Sequence, residues 1–478
     1  MPFDDLREFL QRLEDERQIV HICQEVDWNE EAGAIIRRSN EMGREAVLFE
    51  SLKDYPGWRL AGGLASTLPR VAISMDLPAH TPARALKAEF LRRTNEPIKP
   101  VIVDTGPCKE NKMLGDEVDL FTLPAPLIHA GDAGRYLCTW HLNITKDPDS
   151  DWVNWGMYRS MILDRKRLGI LIEPQQHIGQ IFYQKYEARG EPMEIAIAIG
   201  VEPMSTFCAT TFFPPMVSEM DMAGAMRGKP VELVRCETVD LLAPATAEVV
   251  IEGVVHPGKR QEEGPFGEYT GYRAAERSPR PVVEVIAITH RNAPVLTMSC
   301  MGVPVDDCHA PMSVTMSAQI ERELQNRGLP VTGVWVYPES ALHVAVVATR
   351  VPYANVAATV AHIVFGSKAG FALPFLIVVG DDVDPYSWRQ VMHALGTRCH
   401  PYRGIRRFEY DTTNELDPRL GLSERRFALG SKAYFDCTWP VNWGREEVPQ
   451  QISFASAYSN ETQEKVLRNW LDYGFPER

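Results

Sequence analysis

Cysteine is scarce and patternless in this chain. Nine cysteines lie among 478 residues, at 23, 108, 138, 208, 236, 300, 308, 399 and 437, an odd number with no Cys-x-x-Cys pair. That excludes a disulfide framework and a zinc-finger pattern, and it sets the expectation of a reducing cytoplasm. No stretch approaches the roughly 20 consecutive apolar residues of a membrane helix. The opening residues, Met-Pro-Phe-Asp-Asp-Leu-Arg-Glu, are acidic and amphipathic, without the basic region and apolar run of a signal peptide. An excess of positive charge is lacking too: 50 basic residues face 64 acidic ones, for a net charge of −14. This weighs against nucleic acid as the main partner, although a local basic pocket for a small phosphate is still compatible with it. Internal repeats and low-complexity tracts are absent.

What is present is a chain long enough for two or three domains and a sizeable core. Leu6, Phe9, Leu10 and Leu13 fall at helical spacing, and a second helix is expected from Glu30 to Met42. From Val101 short β-branched runs take over, at Val101–Val103, Glu194–Ile199, Val249–Val255 and Val282–Thr289, with Gly and Pro between them. Near Ala310 the pattern changes. Met312, Met316, Ile320 and Leu324 recur every four residues, predicting one long helix that Gly328 and Pro330 end. Beyond it, strands at Val331–Tyr337, His343–Ala348 and Phe375–Val379 alternate with helices at Ala354–Phe365 and Trp388–Leu395. A last amphipathic helix carries Val466, Leu467, Trp470 and Leu471. The expected fold is a mixture of α+β and α/β, divided into an N-terminal α/β segment (1–100), a β-rich split barrel or twisted sheet (101–309), a linker helix (310–328), a separate α/β domain (329–450) and a C-terminal helix (451–478).

The most informative stretch is Glu263-Gly264-Pro265-Phe266-Gly267-Glu268. Proline fixes its own φ and glycine can take positive φ, so the segment can turn sharply and bring its two carboxylates to one site. Neighbouring carboxylates push their pKa values apart, which suits acid–base chemistry. A polar surface turn would read the same way. Three other groups join it. Asn154-Trp155-Gly156-Met157-Tyr158-Arg159 carries an amide oxygen and a guanidinium, Gln176-His177 an imidazole, and Ser218-Glu219 a carboxylate at the start of a helical stretch. Asn154, His177 and Glu219 make an O/N/O donor set that suits Mn²⁺ or Mg²⁺ better than zinc. Arg159 offers a planar fork for a carboxylate.

Taken together and in this order, these segments resemble the UbiD family of reversible decarboxylases that use prenylated FMN, and within it the branch of ferulic acid decarboxylase and the bacterial aromatic acid decarboxylases. The resemblance continues through Phe365-Gly366-Ser367-Lys368-Ala369-Gly370, Val379-Gly380-Asp381-Asp382-Val383-Asp384 and Thr397-Arg398-Cys399. It implies that Asn154, His177 and Glu219 hold a Mn²⁺ gripping the cofactor phosphate. It also implies that Trp155, Cys208, Ala209, Thr211, Glu219 and Arg398 surround a K⁺. The cofactor would meet the whole stretch from Asn154 to Arg159, Gln176, His177, Glu219 and Lys368. Arg159, Glu263 and Glu268 match the catalytic set, with Arg159 binding the substrate carboxylate, Glu268 donating the proton and Glu263 pairing with Arg159. A flavin prenyltransferase would supply the cofactor, and the protein would be a homo-oligomer, a dimer built through the α/β domain. Glu173, in Leu171-Ile172-Glu173-Pro174, stands where an apolar pocket residue is expected. It either faces the substrate or points to solvent; Tyr269, beside Glu268, is the second pocket candidate. The substrate would be an aromatic, heteroaromatic or α,β-unsaturated acid. The alternative is a flavin-independent, Mn- or Mg-dependent hydrolase using the same ion and the two glutamates.

Overall fold

The computed structural model describes residues 3–476. The opening helix, Leu6–Asp15, is capped by Asp5, whose carboxylate accepts the Glu8 N–H, and it buries Leu6, Phe9, Leu10 and Leu13. It precedes a four-stranded sheet of Ile19–Ile22, Ala46–Phe49, Arg59–Gly62 and Val295–Met298. The fourth strand comes from far along the chain and runs parallel to Arg59–Gly62. The N-terminal sheet is therefore completed by the segment that leaves the central domain.

The centre of the molecule is a curled antiparallel half-barrel of nine strands. Its spine is a long hairpin, Val249–Glu263 against Ser278–His290, which pairs Glu263 with Ser278 at the end its loop closes. Strands alternate faces, so Ile195, Ile197 and Ile199 enter one apolar cluster while Ala196 and Ala198 enter another on the opposite face. The helix His309–Asn326 leads out of this domain and ends where Gly328 takes φ +75°, a left-handed turn that glycine adopts without strain.

The last domain is a five-stranded sheet in the order Val331–Val336, Val344–Thr349, Phe375–Gly380, Leu429–Cys437, Ile405–Thr412. Its three central strands are parallel and its edges antiparallel. Phe375-Leu-Ile-Val-Val-Gly380 is a near-continuous apolar run, as expected of a strand covered on both faces. Val356–Gly366 and Trp388–Arg398 are the helices between these strands. The terminal helix differs from its expected extent: it spans Asn460–Arg468 with Asn469 as its cap, and Trp470 and Leu471 lie in the turn beyond. Among the described residues no helix is long and apolar enough to cross a membrane.

Candidate active site

A cavity of about 250 Å³ opens between the half-barrel, the His309–Asn326 helix and the C-terminal domain. Asn154, Trp155, Met157, Tyr158, Arg159, Glu173, Gln176, His177, Ala209, Thr211, Glu219, Glu268, Tyr269 and Lys368 all line it. Gly156, Cys208, Glu263 and Arg398 do not. Gly156 serves the hairpin behind the wall, since a Cβ there would come within 2.3 Å of the Tyr158 hydroxyl oxygen. Glu263 stands directly behind Arg159, and Cys208 is buried in the helix Pro203–Thr210. The Arg398 guanidinium is turned away, bonded to Asp382 at 2.9 and 2.6 Å and stacked over Trp439.

At one end of the cavity the three donors converge. Asn154 lies second in the hairpin strand Val153–Gly156, and its Nδ2 donates to the Tyr158 hydroxyl at 3.4 Å, while its Oδ1 is buried and, among the described residues, unpaired. His177 opens the helix His177–Ile181 and packs edge-on against Trp152. Its Nδ1 lies 3.7 Å from Glu219 Oε1, and its Nε2 is buried without a partner among the described residues. Glu219 opens the helix Glu219–Arg227, capped by Ser218, and its carboxylate accepts the Trp155 N–H at 3.1 Å. Burial holds the Glu219 carboxyl above its usual range, against the opposing pull of His177. Buried polar atoms are ordinarily paired, so an orphaned amide oxygen that shares this wall with a carboxylate and an imidazole, whose Nδ1 is the ring nitrogen nearest that carboxylate, fits a cation. Among the described residues no three His, Cys, Asp or Glu side chains form a metal site by themselves, so a cation here would need the amide oxygen of Asn154 as a third donor.

The ion network around Arg159 lies elsewhere on the wall. Arg159 lies in the link that follows the strand Val153–Gly156 and is 6% exposed. Its Nε and Nη2 donate to the two oxygens of Glu263 at 3.0 and 2.9 Å, and its Nη1 to Glu268. Tyr136 donates its hydroxyl to Glu263 at 2.7 Å. The Glu263–Glu268 turn passes through a positive φ at Gly264, and Phe266 is fully buried against Tyr136. Burial raises the Glu268 carboxyl, Arg159 works against that, and Glu263 adds to it. Burial disfavours the Arg159 charge, but Glu268 and Glu263 outweigh it and its pKa is raised. The arrangement thus places a carboxyl of raised pKa beside a guanidinium anchored from behind.

Glu173 faces the cavity and not solvent, at 6% exposure. Its carboxylate accepts from Gln176 Nε2 at 3.3 Å and from the Glu415 N–H at 3.2 Å. Burial, reinforced by the Glu415 charge, pushes its pKa up to about 7. Lys368 donates to the Gln175 carbonyl at 2.8 Å, which ties the C-terminal domain to the cavity rim. Tyr136 went unread in the sequence because a lone tyrosine 127 positions before its partner carries no spacing signal. His343, Asn414 and Leu416 reach the cavity from loops of the C-terminal domain, and Met312 and Met316 turn part of the apolar helix stripe towards it.

Comparison with known proteins agrees with this geometry. The chain matches three family models of 3-octaprenyl-4-hydroxybenzoate carboxy-lyase: the N-terminal domain over residues 10–90, the Rift-related UbiD domain over 99–304 and the C-terminal domain over 309–437. It is 36% identical to pyrrole-2-carboxylic acid decarboxylase of Pseudomonas aeruginosa, over 98% of both chains. Among solved structures it resembles the closed form of Sedimentibacter hydroxybenzoicus vanillic acid decarboxylase, with TM-score 0.91 and 30% identity over 98% of this chain and 99% of that one. It also resembles an evolved dimeric form of the UbiD-class enzyme HmfF from Pelotomaculum thermopropionicum in complex with prenylated FMN, with TM-score 0.80 and 31% identity over 94% and 97%. The chain belongs to the UbiD family and is a carboxy-lyase.

Proposed function

We propose that this UbiD-family enzyme is a reversible, non-oxidative decarboxylase of an aromatic or heteroaromatic acid, or of an α,β-unsaturated one, working with prenylated FMN. The observation that carries the reading is the shared cavity. It has an O/N/O cation site of orphaned donors in one part of its wall and, in another, a guanidinium beside a carboxyl of raised pKa.

Cleaving CO₂ from an sp² carbon leaves a charge that no side chain can delocalise, and the modified flavin, when bound, supplies the electron sink. Asn154 Oδ1, the His177 imidazole and Glu219 would hold Mn²⁺, and through it the cofactor phosphate. Lys368 and the segment Asn154–Arg159 would meet the rest of that group. A K⁺ beside Glu219, among Trp155, Cys208, Ala209, Thr211 and Arg398, rests on the family resemblance alone.

Arg159 orients the substrate carboxylate. Two of its five N–H groups are committed to Glu263 and one to Glu268, so the substrate carboxylate takes the free N–H groups of Nη1 and Nη2 and shares Nη1 with Glu268. That sharing weakens the hold of the cation that lowers the Glu268 pKa and puts an anion nearby. Both changes favour the neutral carboxyl, which can then give its proton to the carbon that loses CO₂. Glu263 and Tyr136 hold the guanidinium in its plane throughout. Binding of the carboxylate must stay moderate, since affinity shared by ground and transition states does not speed the step.

The test is protein produced together with a flavin prenyltransferase, offered a panel of aromatic, heteroaromatic and unsaturated acids while CO₂ is followed. Turnover of at least one acid by coloured protein is expected. Colourless protein that hydrolyses esters or amides in the presence of Mn²⁺ would sink the proposal.

A further inference from the structure

Glu268 sits in a loop that its own sequence leaves loose. Gly264 and Gly271 take φ of +80° and +81°, and Gly267 lies between them. Yet a general acid must keep its carboxyl at one place, because a displacement of about 1 Å can cost about a hundredfold in rate. Two distant segments fasten this loop on either side of the acid.

On the side before it, Asp132 Oδ1 accepts the Gly267 N–H at 3.0 Å. The other oxygen of Asp132 accepts the His129 N–H at 3.1 Å and lies 2.9 Å from His129 Nδ1. The imidazole packs directly on the loop: a Cβ at Gly267 would come within 2.6 Å of His129 Nδ1, and the ring meets Phe266 edge-on. On the side after it, His309 Nε2 donates to the Tyr269 carbonyl at 2.6 Å, and its Nδ1 lies 2.8 Å from Asp306 Oδ1. Asp306 is itself held by the N–H groups of Gly302 and Cys308, both at 3.0 Å, and by Arg37 at 3.1 Å. Asp132, Asp306 and His309 are all buried. Each pair is a His and an Asp three residues apart, one on the segment before the strand Tyr136–Cys138 and one at the start of the linker helix.

We propose that the pairs His129–Asp132 and Asp306–His309 are positioning residues that bracket Glu268, fixing the chain one residue before it and one residue after it, so that its carboxyl stays beside Arg159. The inference rests on the reading of Glu268 as the acid. It goes beyond that reading in making the acid's placement depend on groups that touch neither substrate nor cofactor.

The test uses cofactor-loaded enzyme. His309→Leu and Asp132→Ala each remove one side of the bracket. His309→Gln keeps an N–H donor at similar reach, and Asp132→Asn keeps an oxygen acceptor. The first two are expected to retain full flavin absorbance and lose about 10- to 100-fold in kcat, with KM changed by no more than about threefold. Their alkaline limb should also move to lower pH, because a loosened Glu268 is better solvated among the groups around it, Arg159, Glu263, Glu173, Tyr269 and Cys308. The Gln and Asn variants should recover most of the lost kcat. Wild-type kcat and an unmoved pH profile in His309→Leu or Asp132→Ala overturn the inference. So does a loss that the conservative variants fail to rescue and that leaves the limb in place, since that is the mark of a merely structural role. If one of the two fails to fold, the other side of the bracket decides. Glu268→Gln in the same series separates the premises: an active Glu268→Gln removes the acid reading itself, whereas an inactive one alongside neutral bracket variants removes only the bracket.

Discussion

Arg159 and Glu263 form a doubly bonded pair in which both carboxylate oxygens are used, at 3.0 and 2.9 Å, while Tyr136 bonds one of them from behind. Glu263 is fully buried and lines no part of the cavity. It is therefore placed to set the direction of Arg159, and the substrate meets the guanidinium edge that remains.

Glu268→Gln should abolish turnover and leave bound flavin and fold intact. The amide keeps the shape and can still hydrogen-bond, but it has no proton to give. Loss of a general acid costs about 10²–10⁴ in rate. Single-turnover CO₂ release on flavin-matched samples is the measurement, and a rate within tenfold of wild type would take Glu268 out of the acid role.

His177→Ala or Glu219→Ala should empty the enzyme of cofactor. Each removes one donor from a set of three, and the orphaned Asn154 Oδ1 cannot replace it. Purified variants are expected to lack flavin absorbance and bound manganese. Variants with full flavin that fail only in turnover would show that this site takes part in bond breaking.

A pH dependence of stability follows from Glu173. Its pKa rises from 4.5 to about 7, first through burial and then through the Glu415 charge. Below pH 4.5 the group is protonated in the folded and the unfolded chain alike. Between 4.5 and about 7 only the unfolded chain releases the proton, so stability falls as pH rises. The full difference is about 3 kcal/mol. Glu173→Gln, which cannot ionise, should flatten this part of the profile. Thermal midpoints of both proteins from pH 4.5 to 8 give the comparison, and parallel curves would contradict it.

A second copy of the chain is the expected partner of the C-terminal segment. Among the described residues the helices Phe454–Ala457 and Asn460–Arg468 bury no side chain, and Leu467 and Leu471 are 63% and 54% exposed. Apolar side chains gathered on one terminal element mark an interface. Light scattering at micromolar concentration should give a dimer, and Leu467→Glu with Leu471→Glu should shift it towards monomer. A wild-type monomer would reject the idea.

Most of the site was legible because its chemistry is local in sequence. Asn154 to Arg159 form one strand end and the link after it, Glu263 to Glu268 one loop, and His177 and Glu219 each open a helix. What could not be read depends on chain segments meeting. The strand Val295–Met298 joins a sheet more than 230 positions away, and nothing in four apolar residues names that partner. The bracket residues His129 and His309 have ordinary surroundings in the sequence, and only the fold brings both to one loop. Trp470 and Leu471 continue the helical spacing of Val466 and Leu467, yet the helix ends at Arg468 because periodicity does not report where capping wins.

Glu173 also bears on substrate choice, and here two observations combine. It lines the cavity, and both of its carboxylate oxygens accept weakly placed donors, at 3.2 and 3.3 Å. A substrate with a ring OH or NH on that side would give it a better partner, whereas a plain hydrocarbon ring would cover the carboxylate and offer nothing. A site built around a donor rejects analogues that lack it, because its own polar group is left underpaired. Glu173→Ile should therefore move preference towards apolar unsaturated acids, by about 1–3 kcal/mol in relative kcat/KM. The measurement is kcat/KM for an acid bearing a ring donor and for its unsubstituted analogue, in wild type and Glu173→Ile. Should the ratio stay the same, the carboxylate would be serving its Glu415 and Gln176 contacts alone, and selectivity would have to come from the Tyr269, His343 and Asn414 side of the cavity.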